Sequence, residues 1–285
     1  MSRTKLPALP GTSPKGNWRI GTIDRGESDG RVAICAIVAR PATSALNLRG
    51  TAGGVLIGTG FFVVKDGGFA TAKHVALEAL RWMTEAENTV GLVYILPNGL
   101  SVFRPIWKFS LHPTADLAFG IPHEIIDNET GTAFRSKILS LQPSSPGVGA
   151  AISTWAYPLY QKTIDENGDE ILHLQPDFYD GALTEFYATK GPSAKLNAPY
   201  YLTSVHLHGG SSGGPVFNER GHVFGVASCS YDGAEDLAFV TPIDSIFEIE
   251  IPDVDLKDGF GRRSVSIAEI ASLGNIAMWN SPDIK

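Results

Sequence analysis

The chain has 285 residues, of which 43% are hydrophobic and 19% charged, and its formal net charge is −7. This length suits one large all-β domain or two domains of ordinary size, and the composition is that of a globular protein with a core. The negative charge, with no basic run longer than Arg262-Arg263, argues against nucleic acid and acidic membranes as partners. No apolar stretch approaches the ~20 residues that span a bilayer.

Cysteine content and the N-terminus bear on the compartment. Residues 1–7 carry charge, but no apolar segment follows them, so no secretory signal is expected. The chain has two cysteines, Cys35 and Cys229, whereas secreted proteins often rely on several disulfides. These observations predict a cytoplasmic protein, with two buried thiols favoured over a disulfide.

The predicted elements of the first part of the chain are mostly short strands. Residues 1–28 contain three prolines and no sustained periodicity, which predicts a loose N-terminal arm. Good helix formers with apolar positions three or four apart predict a helix over residues 75–87. Apolar runs between turn-forming residues predict strands at 32–38, 56–64, 90–96, 102–107 and 117–121.

A polar connector at 124–136 precedes a second group of predicted strands, at 138–141, 150–156, 171–174, 182–187, 200–206, 214–217 and 222–227. Asn167-Gly168 predicts a tight hairpin. The acidic residues around it do not fit a calcium loop, because the glycine is in the wrong position and no glutamate closes the loop, so no metal site is expected. Ser266 and Glu269 form a capping box before a helix predicted to stop at Gly274.

The segment Gly209-Gly-Ser-Ser-Gly-Gly-Pro215 contains the most informative residue of the chain, Ser212. A serine hydroxyl is a weak nucleophile, which needs a base to take its proton and donors to hold the resulting oxyanion. Glycines on both sides let the backbone turn so that successive N–H groups point to one spot. Such a loop is by itself more often a flexible turn, but an apolar strand follows this one at once, which favours a structured site.

A base and its partner are found upstream. His74 is of the residue type that most often takes a proton from serine, and Asp116, at the mouth of an apolar strand, is placed to accept the ring N–H of a histidine. Singly, each residue is ordinary, since a lone histidine is usually structural and an aspartate before a strand is usually a turn residue. Their order and spacing carry the inference, with 42 residues from His74 to Asp116 and 96 from Asp116 to Ser212.

Together these motifs resemble those of the trypsin/chymotrypsin-like serine proteases. Gly210-Ser-Ser-Gly-Gly-Pro215 is similar to the nucleophile motif, Thr71-Ala-Lys-His74 to the histidine motif, and Asp116-Leu-Ala118 to the aspartate motif. The subgroup that the chain resembles most is the HtrA/Deg type, without a PDZ domain. The resemblance covers roughly residues 30–250, and further similar segments lie at 58–62, 148–158, 180–184 and 239–244.

The resemblance implies a mainly β protein with two six-stranded antiparallel β-barrels of the chymotrypsin type and a few short helices. It implies an arm at 1–28, a first barrel at 29–128, a second barrel at 129–250 and a C-terminal extension with a short helix at 251–285.

The implied activity is that of a serine endopeptidase that needs no cofactor and acts on proteins or peptides. His74, Asp116 and Ser212 would form the catalytic triad between the barrels, and the N–H groups of Gly210 and Ser212 the oxyanion hole. Substrate would lie as an added strand along Ser228, Cys229 and Ser230. Besides its substrate, the protein is a candidate for binding a partner protein that activates it.

The chain departs from the family pattern at three points, and each departure predicts a difference in activation, domain content or specificity. Ser211 stands where digestive relatives have an aspartate that pairs with a newly cut N-terminus, so activation by N-terminal cleavage is not expected. No PDZ-like module fits in residues 251–285. His206 is expected at the base of the primary specificity pocket. There it either favours acidic or polar substrate side chains at the cleavage site or is hydrogen-bonded to backbone. Because no acidic residue occupies this position, cleavage after arginine or lysine is not expected.

Two other interpretations account for part of the sequence. Gly210-Ser-Ser-Gly-Gly214 also satisfies the nucleophile elbow of α/β-hydrolases, but that fold places its histidine well after the serine, and His222 follows Ser212 too closely. The stronger rival is a regulated or inactive protein with the protease fold that binds peptides in the cleft. The presence of all three triad residues argues against it, but an inactive resting state would have the same sequence.

Overall fold

The structure, a computed structural model, describes residues 30–42, 46–47, 50–52, 54–95, 101–126, 131, 133, 135–166, 168, 170–189, 191–193, 196–197, 199–205, 207–231, 234–256 and 258–278. The arm predicted at 1–28 and the specificity-pocket residue His206 lie outside these residues. Within them, no helix has the length and apolar character needed to cross a membrane.

Strands make up most of the described chain. The first half contains β1 (Ile34–Pro41), β2 (Leu46–Asn47), β3 (Gly50–Ala52), β4 (Val55–Phe62), β5 (Phe69–Thr71), α1 (Lys73–Met83), β6 (Asn88–Ile95), β7 (Ser101–Leu111) and β8 (Ala118–Pro122). The second half contains β9 (Ala151–Ile164), β10 (Glu170–Tyr187), β11 (Tyr200–Thr203), β12 (Pro215–Asn218), β13 (Val223–Tyr231), β14 (Ala234–Pro242), β15 (Glu250–Asp255), β16 (Arg262–Ser266) and α2 (Ile267–Ser272). Two 3-10 turns lie at Gly30–Ala33 and Ile243–Glu248.

The first barrel is a closed antiparallel sheet with the strand order β1-β4-β5-β8-β7-β6. Its strands are rich in Val, Ile and Phe, which suit a pleated surface that is buried. Edge-to-face aromatic pairs fill the interior, with ring centroids 5.1 Å apart for Phe62 and Tyr94 and 5.8 Å for Phe69 and Phe109. Closure leaves no unpaired edge in this barrel.

The second barrel closes as β9-β10-β11-β14-β13-β12, because β10 pairs with both β9 and β11, and β12 pairs with β9. The predicted fold class, mainly β with two six-stranded antiparallel barrels and a few short helices, is confirmed. Both barrels share a core, since Phe62 and Phe69 of the first belong to the same buried cluster as Phe217 and Val226 of the second.

The β9–β10 hairpin is longer than a barrel strand pair requires. Its register runs to Ile164 opposite Glu170, which confirms the predicted hairpin; Gly168 adopts φ 85° in the turn, and Asn167 lies outside the described residues. The far part of β10 pairs with β3, at Leu172 opposite Thr51. In this way the β2–β3 hairpin from the first half of the chain is added to the sheet of the second barrel.

Some element predictions need correction. The helix predicted at 75–87 begins at Lys73, so it includes His74, and it ends at Met83, where the Thr84 hydroxyl donates to the Arg81 carbonyl (2.6 Å). The strand predicted at 138–141 does not form. Those residues are buried in the core and form single backbone hydrogen bonds to different segments; for example, the Leu139 N–H donates to the Phe62 carbonyl (3.0 Å).

The C-terminal extension packs back onto the first barrel. The predicted capping box is confirmed, because the Ser266 hydroxyl accepts the Glu269 N–H (3.2 Å) at the start of α2. Beyond α2, Ile276 is buried and bridges to Val64. The extension therefore contributes to the core.

A buried cation ties the first barrel to the inter-barrel connector. Arg104 is 1% exposed, and its guanidinium donates to the carbonyl oxygens of His123 (2.6 Å) and Asp66 (3.1 Å) and to the Ser136 hydroxyl (3.3 Å). These bonds replace the water that a buried charge loses. Arg104 therefore joins three separate segments.

Cys35 is a buried free thiol in β1, so the two cysteines form no disulfide. Burial raises the pKa of the Cys35 thiol well above its ordinary range. The side chain of Cys229 lies outside the described residues.

Candidate active site

The structure brings His74 and Asp116 together at one end of the first barrel. His74 lies in the first turn of α1, directly after β5, and Asp116 lies just before β8. The His74 Nδ1 atom is 2.9 Å from Asp116 Oδ2 and 3.1 Å from Oδ1, and the His74 backbone N–H donates to Oδ1 (3.0 Å). The carboxylate thus orients the imidazole through both its ring and its backbone.

This pairing fixes what the imidazole can do. A carboxylate only accepts hydrogen bonds, so Nδ1 carries the proton in the neutral ring and Nε2 keeps its lone pair. The Asp116 side chain is 10% exposed, whereas that of His74 is 46% exposed. The lone pair of a solvent-facing Nε2 is therefore available to a substrate or a nucleophile.

The loop that carries Ser212 is a series of tight turns. Ser211 N–H donates to the His208 carbonyl (3.1 Å), and Gly210, the third residue of that turn, adopts φ 88°. A β carbon on Gly210 would lie 2.5 Å from the Tyr157 carbonyl oxygen, so glycine is required there for both conformation and space. A left-handed residue at this place is typical of a type II turn.

The backbone N–H groups of Gly210 and Ser212 donate no hydrogen bond to any described residue. Donors without an internal partner at the head of a nucleophile loop are what an oxyanion hole requires. The structure therefore leaves the two predicted oxyanion donors free.

The backbone of Ser212 lies near the start of α1, the helix that carries His74, and the Ser212 hydroxyl is hydrogen-bonded to a residue of the second barrel. A β carbon on Gly58 would lie 2.8 Å from the methyl groups of Val75 and 3.0 Å from the Ser212 carbonyl oxygen, so the residue after His74 and the backbone of Ser212 meet at one point. The Ser212 hydroxyl donates to the Ser228 carbonyl oxygen (2.6 Å) and not to His74.

Thr59, on β4, connects the two barrels beneath these residues, and sequence reasoning missed it. Its N–H donates to the Ser212 carbonyl (2.8 Å), and its hydroxyl donates to the Gly210 carbonyl (2.8 Å) and accepts the Tyr157 N–H (3.0 Å). Its own carbonyl accepts the Thr71 hydroxyl (2.7 Å). The segment Gly58-Thr-Gly60 resembles the strand before the histidine motif of the family. The polar residue between its two glycines is the sequence feature that could have identified Thr59 as a contact between the barrels.

The predicted substrate strand is the end of β13. The register of β12 along β13 ends at Val226, and the Ser228 hydroxyl is turned inward to the Thr241 hydroxyl (2.6 Å). Ser228 is completely buried, and its carbonyl oxygen accepts the Ser212 hydroxyl. The side chains of Cys229 and Ser230, like His206, lie outside the described residues.

Ser211 is fully buried beside Tyr179. Burial, and then the charge of Asp177, raise the pKa of the Tyr179 phenol, so this neighbour of Ser211 is neutral. Among the described residues, no group of His, Cys, Asp and Glu side chains is arranged to hold a metal ion.

Comparisons with known proteins agree with this architecture. Residues 58–226 match the model of the trypsin-like peptidase domain. The crystal structure of Deg5 superposes with a TM-score of 0.52 at 19% identity, covering 78% of this chain and 88% of Deg5. No curated protein sequence matches the chain significantly.

Two further solved structures are similar to this chain at lower TM-scores. The inactive form of the Rv3671c protease of M. tuberculosis has 16% identity and a TM-score of 0.47, with 75% and 84% of the chains covered. The HtrA-type protease AlgW with a tripeptide has 13% identity and a TM-score of 0.49, with 75% of this chain and 57% of AlgW covered. The family match spans more than half of the chain, and this protein belongs to the trypsin-like peptidases.

Proposed function

We propose that this protein is a serine endopeptidase, with His74, Asp116 and Ser212 as its catalytic triad. The observation that carries the proposal is the pair of short contacts between His74 Nδ1 and the Asp116 carboxylate, next to a nucleophile loop whose Gly210 and Ser212 N–H groups are free. The alternative, a peptide-binding protein with an inactive site, is favoured only by the resting position of the Ser212 hydroxyl.

In the proposed mechanism, a peptide adds as a strand along the backbone of residues 228–230. The Ser212 hydroxyl leaves the Ser228 carbonyl, and His74 Nε2 takes its proton as the oxygen attacks the scissile carbonyl. The N–H groups of Gly210 and Ser212 stabilise the oxyanion, and the Asp116 carboxylate stabilises the imidazolium.

The tetrahedral intermediate collapses when His74 gives its proton to the leaving amine and the C–N bond breaks. This leaves an ester between Ser212 and the acyl half of the substrate. Water then attacks the ester, His74 takes a proton from the water, and return of the proton to Ser212 releases the carboxylic acid.

A fluorophosphonate probe with peptide mapping tests the assignment. The wild-type protein should be labelled on Ser212, Ser212→Ala should lose the label together with peptidase turnover, and the exposed control Ser144→Ala should keep both. Removing a triad nucleophile reduces turnover by about 10⁶-fold when the triad acts as a unit. Labelling of another serine would refute the triad, and an unlabelled protein that binds peptides would favour the alternative.

The cytoplasmic location remains a proposal. It accords with the reduced state of Cys35, and fractionation of cells that produce the full chain tests it.

A further inference from the structure

We infer that His112 is a positioning residue for Asp116: its neutral imidazole, protonated on Nε2, builds the loop that holds the carboxylate against His74. The inference rests on the proposed function for its kinetic consequence. Its structural content, a fixed tautomer that holds the loop, can be measured without activity.

His112 is the first residue of the loop that joins β7 to β8 and carries Asp116. Its backbone N–H donates to the Leu117 carbonyl (2.9 Å) across the mouth of this loop. Inside the loop, its ring atom Nδ1 accepts the N–H of Ala115 (2.7 Å) and the N–H of Thr114 (3.1 Å). The two residues directly before Asp116 are therefore held by one imidazole nitrogen.

The other ring nitrogen determines the protonation state. Nε2 is 3.3 Å from an Oε2 oxygen of Glu248, in the 3-10 turn after β14. An ionised carboxylate only accepts, so Nε2 carries the hydrogen, and two N–H donors at Nδ1 require a lone pair there. Both ends of the ring select the same neutral tautomer.

A proton on Nδ1 would face two N–H groups with no acceptor, in a side chain that is 3% exposed. Protonation of His112 is therefore incompatible with the loop as built. Two charged side chains contact this residue: the Glu248 carboxylate lies at Nε2, and the Lys73 ammonium donates to the His112 carbonyl (2.8 Å). Asp116 lies on the same loop and is already paired with His74.

This arrangement links the loop to two other elements. Lys73, the residue before His74, holds the His112 and Pro113 carbonyls (2.8 and 3.0 Å), and Glu248 belongs to the chain that follows the second barrel. His112 thus joins the aspartate, the start of the helix that carries the catalytic histidine, and the C-terminal part of the chain.

Three variants separate positioning from general stability. In His112→Asn, the side-chain oxygen stands where Nδ1 stands and accepts the same N–H groups but does not titrate. In His112→Ala the acceptor is lost. Glu248→Gln keeps an acceptor for Nε2–H and removes the charge.

We expect His112→Ala to reduce kcat by about tenfold to a hundredfold with little change in KM, because a shift of the carboxylate disturbs the alignment of His74. His112→Asn should recover most of this loss, and Glu248→Gln should remain close to wild type near neutral pH.

Nitrogen-15 spectra of labelled histidine report the tautomer directly. The chain has seven histidines, and the signal missing in His112→Asn identifies His112. We expect an unprotonated Nδ1 and a protonated Nε2. A proton on Nδ1, or a folded His112→Ala with the kcat of wild type, would overturn the inference. If wild type has no peptidase activity the proposed function fails, while the spectra still decide the tautomer.

Discussion

The Thr59 hydroxyl of the first barrel lies 2.8 Å from the Gly210 carbonyl oxygen in the nucleophile loop of the second barrel. Because the Thr59 N–H also holds the Ser212 carbonyl, a single residue fixes the backbone on both sides of Ser211. Thr59 is completely buried, so water cannot replace these bonds. The alignment of the oxyanion donors therefore depends on a contact between the barrels.

Replacement of Thr59 by valine should impair catalysis more than substrate binding. The change keeps the shape and leaves the Gly210 carbonyl and the Tyr157 N–H without partners, at a cost of about 2 kcal/mol or more in the free energy of unfolding. We expect kcat to fall about tenfold to a hundredfold with little change in KM. Thr59→Ser, which keeps the hydroxyl, is the control, and equal kcat values for the two variants would contradict the proposed role.

Replacement of Asp116 by asparagine should leave the fold intact and remove most activity. The amide NH₂ favours a proton on His74 Nε2, where Ser212 needs a lone pair. A loss of about 10⁴-fold in kcat is expected for such a change of tautomer. Steady-state kinetics with a peptide substrate measure it, with circular dichroism to verify folding. Activity within tenfold of wild type would show that Asp116 does not orient the base.

Alanine at Gly210 should be damaging, whereas alanine at the adjacent Gly209 should be tolerated. Gly210 has φ 88° and no room for a β carbon, whereas a β carbon on Gly209 meets no atom within 4 Å. The left-handed conformation alone costs a non-glycine residue roughly 1–2 kcal/mol. We expect Gly210→Ala to lower kcat and the melting temperature and Gly209→Ala to change neither strongly. Similar melting temperatures and rates for both would contradict the turn described above.

Replacement of Arg104 by methionine should destabilise the protein without changing the chemistry of the site. The variant keeps much of the side-chain volume but removes the buried guanidinium and its hydrogen bonds to the His123 and Asp66 carbonyl oxygens, which predicts a loss of about 3 kcal/mol in the free energy of unfolding. Urea denaturation measures this loss. Arg81→Met is the control, because Arg81 forms an exposed pair with Glu78 on the surface of α1 and should matter little. Equal midpoints for the two variants would refute the structural role of Arg104.

The local elements of this fold follow largely from local patterns. Apolar β-branched runs predicted most of the barrel strands, and Ser266 with Glu269 predicted the start of α2. The strand predicted at 138–141 failed because its buried residues form only isolated bridges, such as those of Leu141 to Val223 and Met278, and no continuous ladder. The three-residue strand β5 was missed because it is too short to show a period.

The sequence by itself determined which residues are the candidates for the chemistry, because the glycine-rich loop of Ser212, the histidine and the aspartate are recognisable by residue type, order and spacing. Only the tertiary structure decided how they are held: the Thr59 contacts, the imidazole of His112 within the Asp116 loop, and the resting hydrogen bond from Ser212 to Ser228. Thr59 and Gly210 are 151 residues apart in the chain. Contacts between such distant segments form only when the barrels pack and water is excluded, which no local pattern records.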